Sequence, residues 1–232
     1  MSALAPTFEE QQNKLSRVLG DSDTELDSLW PLADRKYELN QGELMFAEDS
    51  KSLLRRVDGT ISSQTISLPS GFKGIHVLIV DDVPLTNDHE VPLADWERFK
   101  DAGDNKYYFW VNTASTRQIN FLDSSVNGLT YVLFYFGLPT IALDASDDES
   151  PLQGKYRNGP VFYAAKELLP VAGKTQLAQY YENEYNKLVL RAREETESLV
   201  KSVIKAMPDI FPYNQFDQDK QGIGSFPGPG FD

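Results

Sequence analysis

The side chains in this sequence that could do chemistry are two histidines and two groups of acids. His76 lies in the apolar run 75–80 and His89 in an acidic turn, and neither has a second histidine nearby. A metal pair needs ligands at set spacing, so a lone imidazole inside a strand reads as a sheet-face residue. Asp81 and Asp82 end that run and begin a turn, where aspartate is favoured because its side chain hydrogen-bonds the local backbone. A hydrolytic carboxylate pair also needs a defined separation across a cleft, which sequence does not carry. Asp144, Asp147, Asp148 and Glu149 form the densest acidic cluster. It lacks the alternating oxygens and central glycine of an EF-hand loop and reads as a solvated loop placed before a helix N-terminus. The chain has no cysteine, which removes disulfides, thiolate metal sites and thiol nucleophiles. No phosphate-cradling, dinucleotide, nucleophile-elbow or zinc-protease motif occurs. The sequence therefore assigns no catalytic, cofactor-binding or metal residue, no cofactor, and no enzymatic activity.

Composition narrows the partners. The chain has 232 residues, 41% hydrophobic and 12% aromatic, enough for a real core. Its net charge is −13, spread unevenly. Residues 1–58 hold 12 acids and 7 bases, residues 59–151 hold 13 and 5, and residues 152–207 are slightly positive. That balance disfavours ordinary nucleic-acid binding, although an acidic surface suits a wall that DNA must pass without sticking. The N-terminus has no apolar core behind a basic start, and no apolar run reaches the roughly 18 residues of a membrane helix. The expectation is a soluble protein.

The elements that would position these residues change period along the chain. Residues 7–19 predict a helix with Thr7 as N-cap, Glu10 at capping-box spacing and Gly20 as its stop. A second helix is expected from Pro31 to Ser50, with Tyr37, Leu44 and Ala33 on its apolar stripe. From 56 to 143, segments 61–68, 75–80, 106–111, 116–122 and 129–136 are β-branched and aromatic, with turn-rich stretches between them. Spacing of about ten residues predicts antiparallel neighbours. Residues 93–100 predict one or two helical turns within the sheet region. After the acidic loop, helices are expected over 155–169 and from about 174 to 207, the latter on a stripe of Leu177, Tyr181, Tyr185, Leu188, Ala192, Leu199 and Val203 with a gap near Thr196. Tyr156, Phe162, Tyr163, Tyr180, Tyr181 and Tyr185 form an aromatic stripe across these two helices, read as core.

The fold class is thus α+β: a helical bundle of two N-terminal and two C-terminal helices, an inserted antiparallel β domain, and an extended C-terminal arm. The divisions fall at 1–55, 56–143, 144–207 and 208–232. The arm holds four prolines, four glycines and five aromatics in 25 residues. It cannot continue a helix, and it is too aromatic for an ordinary solvated tail. Phe211, Tyr213, Phe216, Phe226 and Phe231 read as anchors that order against another surface.

Taken together, residues 7–207 resemble the head-to-tail connector (adaptor) proteins of tailed bacteriophages. An N-terminal helical pair leads into Leu68-Pro69-Ser70-Gly71-Phe72, similar to the family's "LPSDF" turn. IHVLIVDDVPL (75–85) resembles its strand–turn–apolar element, LADWERFK (93–100) its "xxxWxxF" helical turn, and KYYFWV (106–111) the strand reading "P-x-Y-Y" in relatives. An aromatic strand (129–139) and the acidic loop follow. Last, KYRNGPVFYAAKELLP (155–170) and LAQYYENEYNKLVLRAR (177–193) resemble the closing helix pair. Gly159-Pro160 departs from the pattern and moves the helix start towards Pro160, and the tail is unusually long and glycine-rich.

The resemblance implies a virion structural protein, assembled in the host cytoplasm into the phage neck. It implies a homo-oligomeric ring of about twelve copies beneath the portal protein, tail or nozzle proteins docked below, and genomic DNA passing through the channel without specific binding. The arm aromatics would bind the portal, and Asp81, Asp82, Asp144, Asp147, Asp148 and Glu149 would serve as an acidic lumen or loop. The competing readings are a carbohydrate-active hydrolase using a carboxylate pair, a tail-fibre-type virion part suggested by LNQGELMFAEDSKSLL (39–54), and a cytosolic adaptor that binds through its aromatic tail.

Overall fold

The computed structural model describes residues 6–20, 29–85, 89–95, 98–99 and 107–205, the last seven as backbone only. They form a mixed helix-and-sheet α+β protein with four α-helices and two antiparallel sheets.

Helix α1 spans Phe8–Leu19, and the Thr7 side chain accepts the Glu10 amide at its start. It ends at Gly20 in the left-handed region (φ 69°), whose amide reaches Arg17 and Ser16 carbonyls. Glycine occupies that conformation without a Cβ penalty. Helix α2 spans Leu32–Ser50, directly behind Pro31. Its expected apolar stripe is rotated out of place: Tyr37 is 61% exposed, and the buried face carries Arg35, Leu39, Gly42, Glu43, Phe46, Ala47 and Ser50. Hydropathy misreads that face because three of its seven residues are polar and each makes an internal hydrogen bond. Arg35 Nη1 donates to Ser16 Oγ at 2.6 Å, Gln11 Nε2 to Glu43 Oε1 at 2.6 Å, and Ser50 Oγ to the Phe46 carbonyl at 2.6 Å.

Helix α3 (Gly159–Leu168) begins with Pro160 in its first turn, where a missing N–H costs nothing. The helix thus starts near Pro160 rather than at Lys155, and residues 154–156 form a separate 3₁₀ turn ahead of it. Helices α2 and α3 cross with almost no room. A Cβ added to Gly42 would stand 2.6 Å from the Pro160 carbonyl oxygen, and one added to Gly159 would stand 2.4 Å from the Phe46 ring. Phe46 then centres a cluster with Tyr156 and Tyr185, at ring separations of 5.7 and 5.9 Å. Helix α4 (Thr175–Lys205) lays Tyr185, Val189 and Ala192 into this core, buries Thr196 one turn further on, and sends Ala178 into the neighbouring cluster with Phe8, Trp30 and Leu168. The expected gap at Thr196 is filled, because its hydroxyl donates to the Ala192 carbonyl at 2.8 Å and leaves the methyl for packing. Leu177, expected on the stripe, is 38% exposed.

The larger sheet runs β1–β7–β3–β4, from strands Leu54–Thr60, Thr130–Gly137, Phe72–Val80 and Val83–Leu85. The smaller runs β2–β6–β5, from Thr65–Ser67, Gln118–Phe121 and Phe109–Asn112. Both sheets feed one buried cluster that includes Ile66, Leu78, Phe109, Ile119, Phe121 and Leu133. The expected strand over 61–68 shrinks to three residues because Ser63 and Gln64 adopt φ of 52° and 59°, turning the chain between Ser62 and Thr65. The β1 strand precedes the segments the sequence singled out. Residues 93–95 form a 3₁₀ turn.

The α2–α3 crossing generates a direct test. Gly42→Ala should gain up to about 1 kcal/mol of helix propensity yet lose about 2–3 kcal/mol to overpacking, lowering the urea midpoint without changing the m-value. Gly74→Ala, with nothing within 4 Å of its Cβ position, should leave the midpoint unchanged or raise it.

Candidate functional site

Asp81 and Asp82 are the two central residues of the β3–β4 hairpin, with Val80 opposite Val83. Their φ values are 50° and 62°, the double left-handed geometry of a type I′ turn. Aspartate tolerates that geometry better than most residues, and both side chains are exposed. The Asp81 amide donates to Thr130 O at 2.9 Å, tying the turn to β7. Pro84 follows in β4, the outermost strand of the sheet, where a missing N–H is tolerated.

The 144–149 loop has a different task. Its carbonyls receive the first amides of α1: Phe8 N donates to Asp148 O at 2.8 Å and Glu9 N to Ser146 O at 3.1 Å. Glu149 forms an isolated bridge with Thr7, and Ser150 N donates to Pro6 O. The acids therefore do sit before a helix start, but it is α1, not the helix that follows in sequence. Negative charge there also matches the helix dipole. The Asp148 carboxylate accepts the Asp144 and Ala145 amides at 2.7 and 2.9 Å, and these bonds hold its pKa below the usual value. Asp144 pairs with Lys36 at 2.8 Å, and Asp147 is exposed. No hydrogen bond or ion pair among the described residues joins this loop to the Asp81–Asp82 turn. No described group of three or more His, Cys, Asp or Glu has the geometry of a metal site.

His76 is the extra residue of a β-bulge in β3, between the pairs Ile75–Tyr135 and Val77–Phe134. A bulge re-aims its side chain. The imidazole lies 4.9 Å from the Phe136 ring beside a cavity of about 370 Å³ that it shares with Lys51 and Arg193. Burial, then Lys51, pushes its pKa down, and its Nε2 is buried without a partner. His89 lies 5.8 Å from the Tyr108 ring.

Helix α4 is locked to its neighbours at two points that sequence reasoning did not identify. Tyr185 donates to Asp49 Oδ2 at 2.7 Å, and Arg193 Nε donates to the Asp49 carbonyl. Burial and the Asp49 bond push the Tyr185 hydroxyl far above its ordinary pKa. Further along, Glu195 accepts from Lys155, from Tyr156 at 2.7 Å and from Arg191 at 3.1 Å. These donors, Lys155 first, hold Glu195 down at about 2. The only advance sign of them was the presence of tyrosines and acids on α4, which is no signal for pairing across 39 residues.

Of the aromatic stripe, Tyr156 and Tyr185 are core, Phe162, Tyr163 and Tyr181 are half-buried, and Tyr180 is 54% exposed. Tyr180 and Leu190, the latter 58% exposed, fall on the side of α4 away from its buried stripe on a 3.6-residue helix. Tyr37 and Val171 add exposed apolar surface on the helical part. The arm residues Phe211, Tyr213, Phe216, Phe226 and Phe231 lie outside the described residues, as does any side-chain account of Leu199 and Val203. No protein-family model and no curated protein matches this chain.

Two measurements test these roles. Asp81→Asn with Asp82→Gly supplies the preferred type I′ pair and should raise stability by about 1 kcal/mol in thermal unfolding. Glu195, whose folded value lies below its unfolded one, contributes stability that is present above pH 4.5 and lost as pH falls toward 2. Glu195→Gln should cost about 1 kcal/mol at pH 7, the value of a partly exposed pair. The difference from wild type should close across that acid range in denaturant titrations.

Proposed function

We propose that this chain is a head-to-tail connector of a tailed bacteriophage, a ring-forming structural protein beneath the portal. On this reading α1–α4 are a bundle, the two sheets are an insertion within it, and residues 208–232 are an arm that seats Phe211, Tyr213 and Phe216 in grooves between portal subunits, with Phe226 and Phe231 further along. The observation that carries the reading is the outer side of α4. A helix bonded so firmly along one side and still presenting Tyr180 and Leu190 on the other has the form of an element with a second partner. In a closed ring that partner is the next copy, through a heterologous contact.

The acidic residues fit the same assignment. Asp81, Asp82, Asp144, Asp147 and Glu149 are exposed, and Asp148 is half-buried. Their local work is done by backbone geometry and capping, which leaves most of the charge for solvent. Facing a lumen, it would repel phosphate and keep DNA from being retained. Tail or nozzle proteins would dock on the opposite side from the portal.

Sedimentation and electron microscopy of the full chain mixed with its portal protein test the reading. A ring on the portal is expected, and it should be lost when Leu190→Asp places a charge in the contact between copies. A chain ending at Met207 should bind the portal at least about tenfold more weakly, since several buried aromatic anchors are gone. Portal binding that is unchanged by that truncation overturns the arm assignment, and a full chain that stays monomeric on addition of portal overturns the ring.

A further inference from the structure

A cavity of about 550 Å³ lies between α1 and the turn that leads into α3. Lys14, Arg17 and Arg157 line it, together with Gln11, Tyr181 and a single carboxylate, Glu10. Two structural facts bring the cations together. Phe8, Leu15 and Leu19 commit the other side of α1 to the core, so Lys14 and Arg17, three residues apart, share the outward side. On the facing wall, buried Tyr156 anchors the 154–156 turn and Lys155 is drawn to Glu195, which leaves Arg157 turned to α1.

Two of these charges, Lys14 and Arg157, are close enough to oppose one another. Burial, then the Arg157 guanidinium, lowers the Lys14 pKa, and the Lys14 ammonium donates to Asn158 Oδ1, a neutral acceptor. Among the described residues, no carboxylate lies within 4.0 Å of Lys14, Arg17 or Arg157. Several other cations of the protein do pair with acids: Lys36 with Asp144, Lys73 with Glu48, Lys155 and Arg191 with Glu195. Three like charges gathered in one concave space, with only Glu10 to offset them and no ion pair formed, cost free energy that a bound anion would recover. Two guanidiniums present planar forks matched to tetrahedral and planar oxyanions. With an ammonium beside them, a singly charged anion leaves excess positive charge, whereas a multiply charged one balances it.

We propose that the cavity lined by Lys14, Arg17 and Arg157 is a binding site for a multiply charged phosphate-class oxyanion. Arg17 and Arg157 grip its oxygens from opposite walls, and Lys14 supplies the third charge. Glu10, the one carboxylate of the lining, opposes the anion and is outweighed by the three cations. The phosphate could be a small free species or the backbone of a nucleic acid, and the two sources are separable by experiment. The site stands on side chains of one chain, so it is independent of the ring assignment above.

Titration calorimetry of the full chain at fixed ionic strength tests the assignment, with pyrophosphate, inorganic phosphate, acetate and a short single-stranded oligonucleotide as probes. Saturable one-site binding is expected, tighter for pyrophosphate than for phosphate and absent for acetate. Arg17→Gln with Arg157→Gln should weaken pyrophosphate binding at least about tenfold. Lys187→Gln, on an exposed part of α4, should leave it unchanged. An oligonucleotide that competes with pyrophosphate identifies the backbone as a source, and one that does not identifies the small anion. The absence of saturable pyrophosphate binding overturns the proposal, as does binding that survives the double substitution. Circular dichroism melting of the double variant separates loss of the site from loss of the fold, because both arginines lie outside the buried core.

Discussion

Everything in the helical part hangs on the contact in which α2 meets α3 through two glycines. With Gly42 against the Pro160 carbonyl and Gly159 against the Phe46 ring, the backbones approach to a distance that no larger residue allows. That approach sets where Phe46 sits, and Phe46 in turn is the ring on which Tyr156 and Tyr185 close. Tyr185 carries α4, and Tyr156 carries the turn from which Lys155 reaches Glu195 and Arg157 faces α1. Interiors are packed as densely as organic crystals, so a small displacement at the crossing would propagate both to α4 and to the wall that carries Arg157.

A second theme is polar groups used in place of apolar ones. Gln11 and Glu43, each 2% exposed, pair across α1 and α2, and burial pushes the Glu43 pKa up despite its bond to Gln11. Arg35 reaches Ser16 between the same helices. A buried polar pair is costly unless its geometry is good, and it specifies one arrangement of the helices where grease would accept several. The 144–149 loop extends the logic by bonding the amides at the start of α1, which are otherwise orphaned. The N-terminal helix is held in place by a segment more than 130 residues downstream.

Much of the architecture was legible in advance. Thr7 and Gly20 bound α1 as cap and stop because their chemistry is local. The β-branched and aromatic runs marked β3, β5, β6 and β7, and the short spacing between them required antiparallel pairing. The turn character of Asp81–Asp82 was legible as well, for a side chain that tolerates the left-handed region announces itself. The α2 stripe was not, because Arg35, Gly42, Glu43 and Ser50 look like solvent residues until their partners are known. Nor was the role of His76, since a bulge depends on the partner strand and leaves no mark of its own.

By itself, then, the sequence determined the helical and strand periods, the caps and turns, the absence of thiol chemistry and the change to an aromatic, proline- and glycine-rich composition after Met207. These follow from interactions among residues within a few positions of one another. Only the tertiary structure decided which polar residues are buried, that the acidic loop caps α1, that Glu195 and Asp49 anchor α4, and that Lys14, Arg17 and Arg157 share one cavity. Each of those facts joins residues far apart in the chain, where no local propensity operates and the outcome rests on which surfaces the Gly42–Pro160 contact allows to meet.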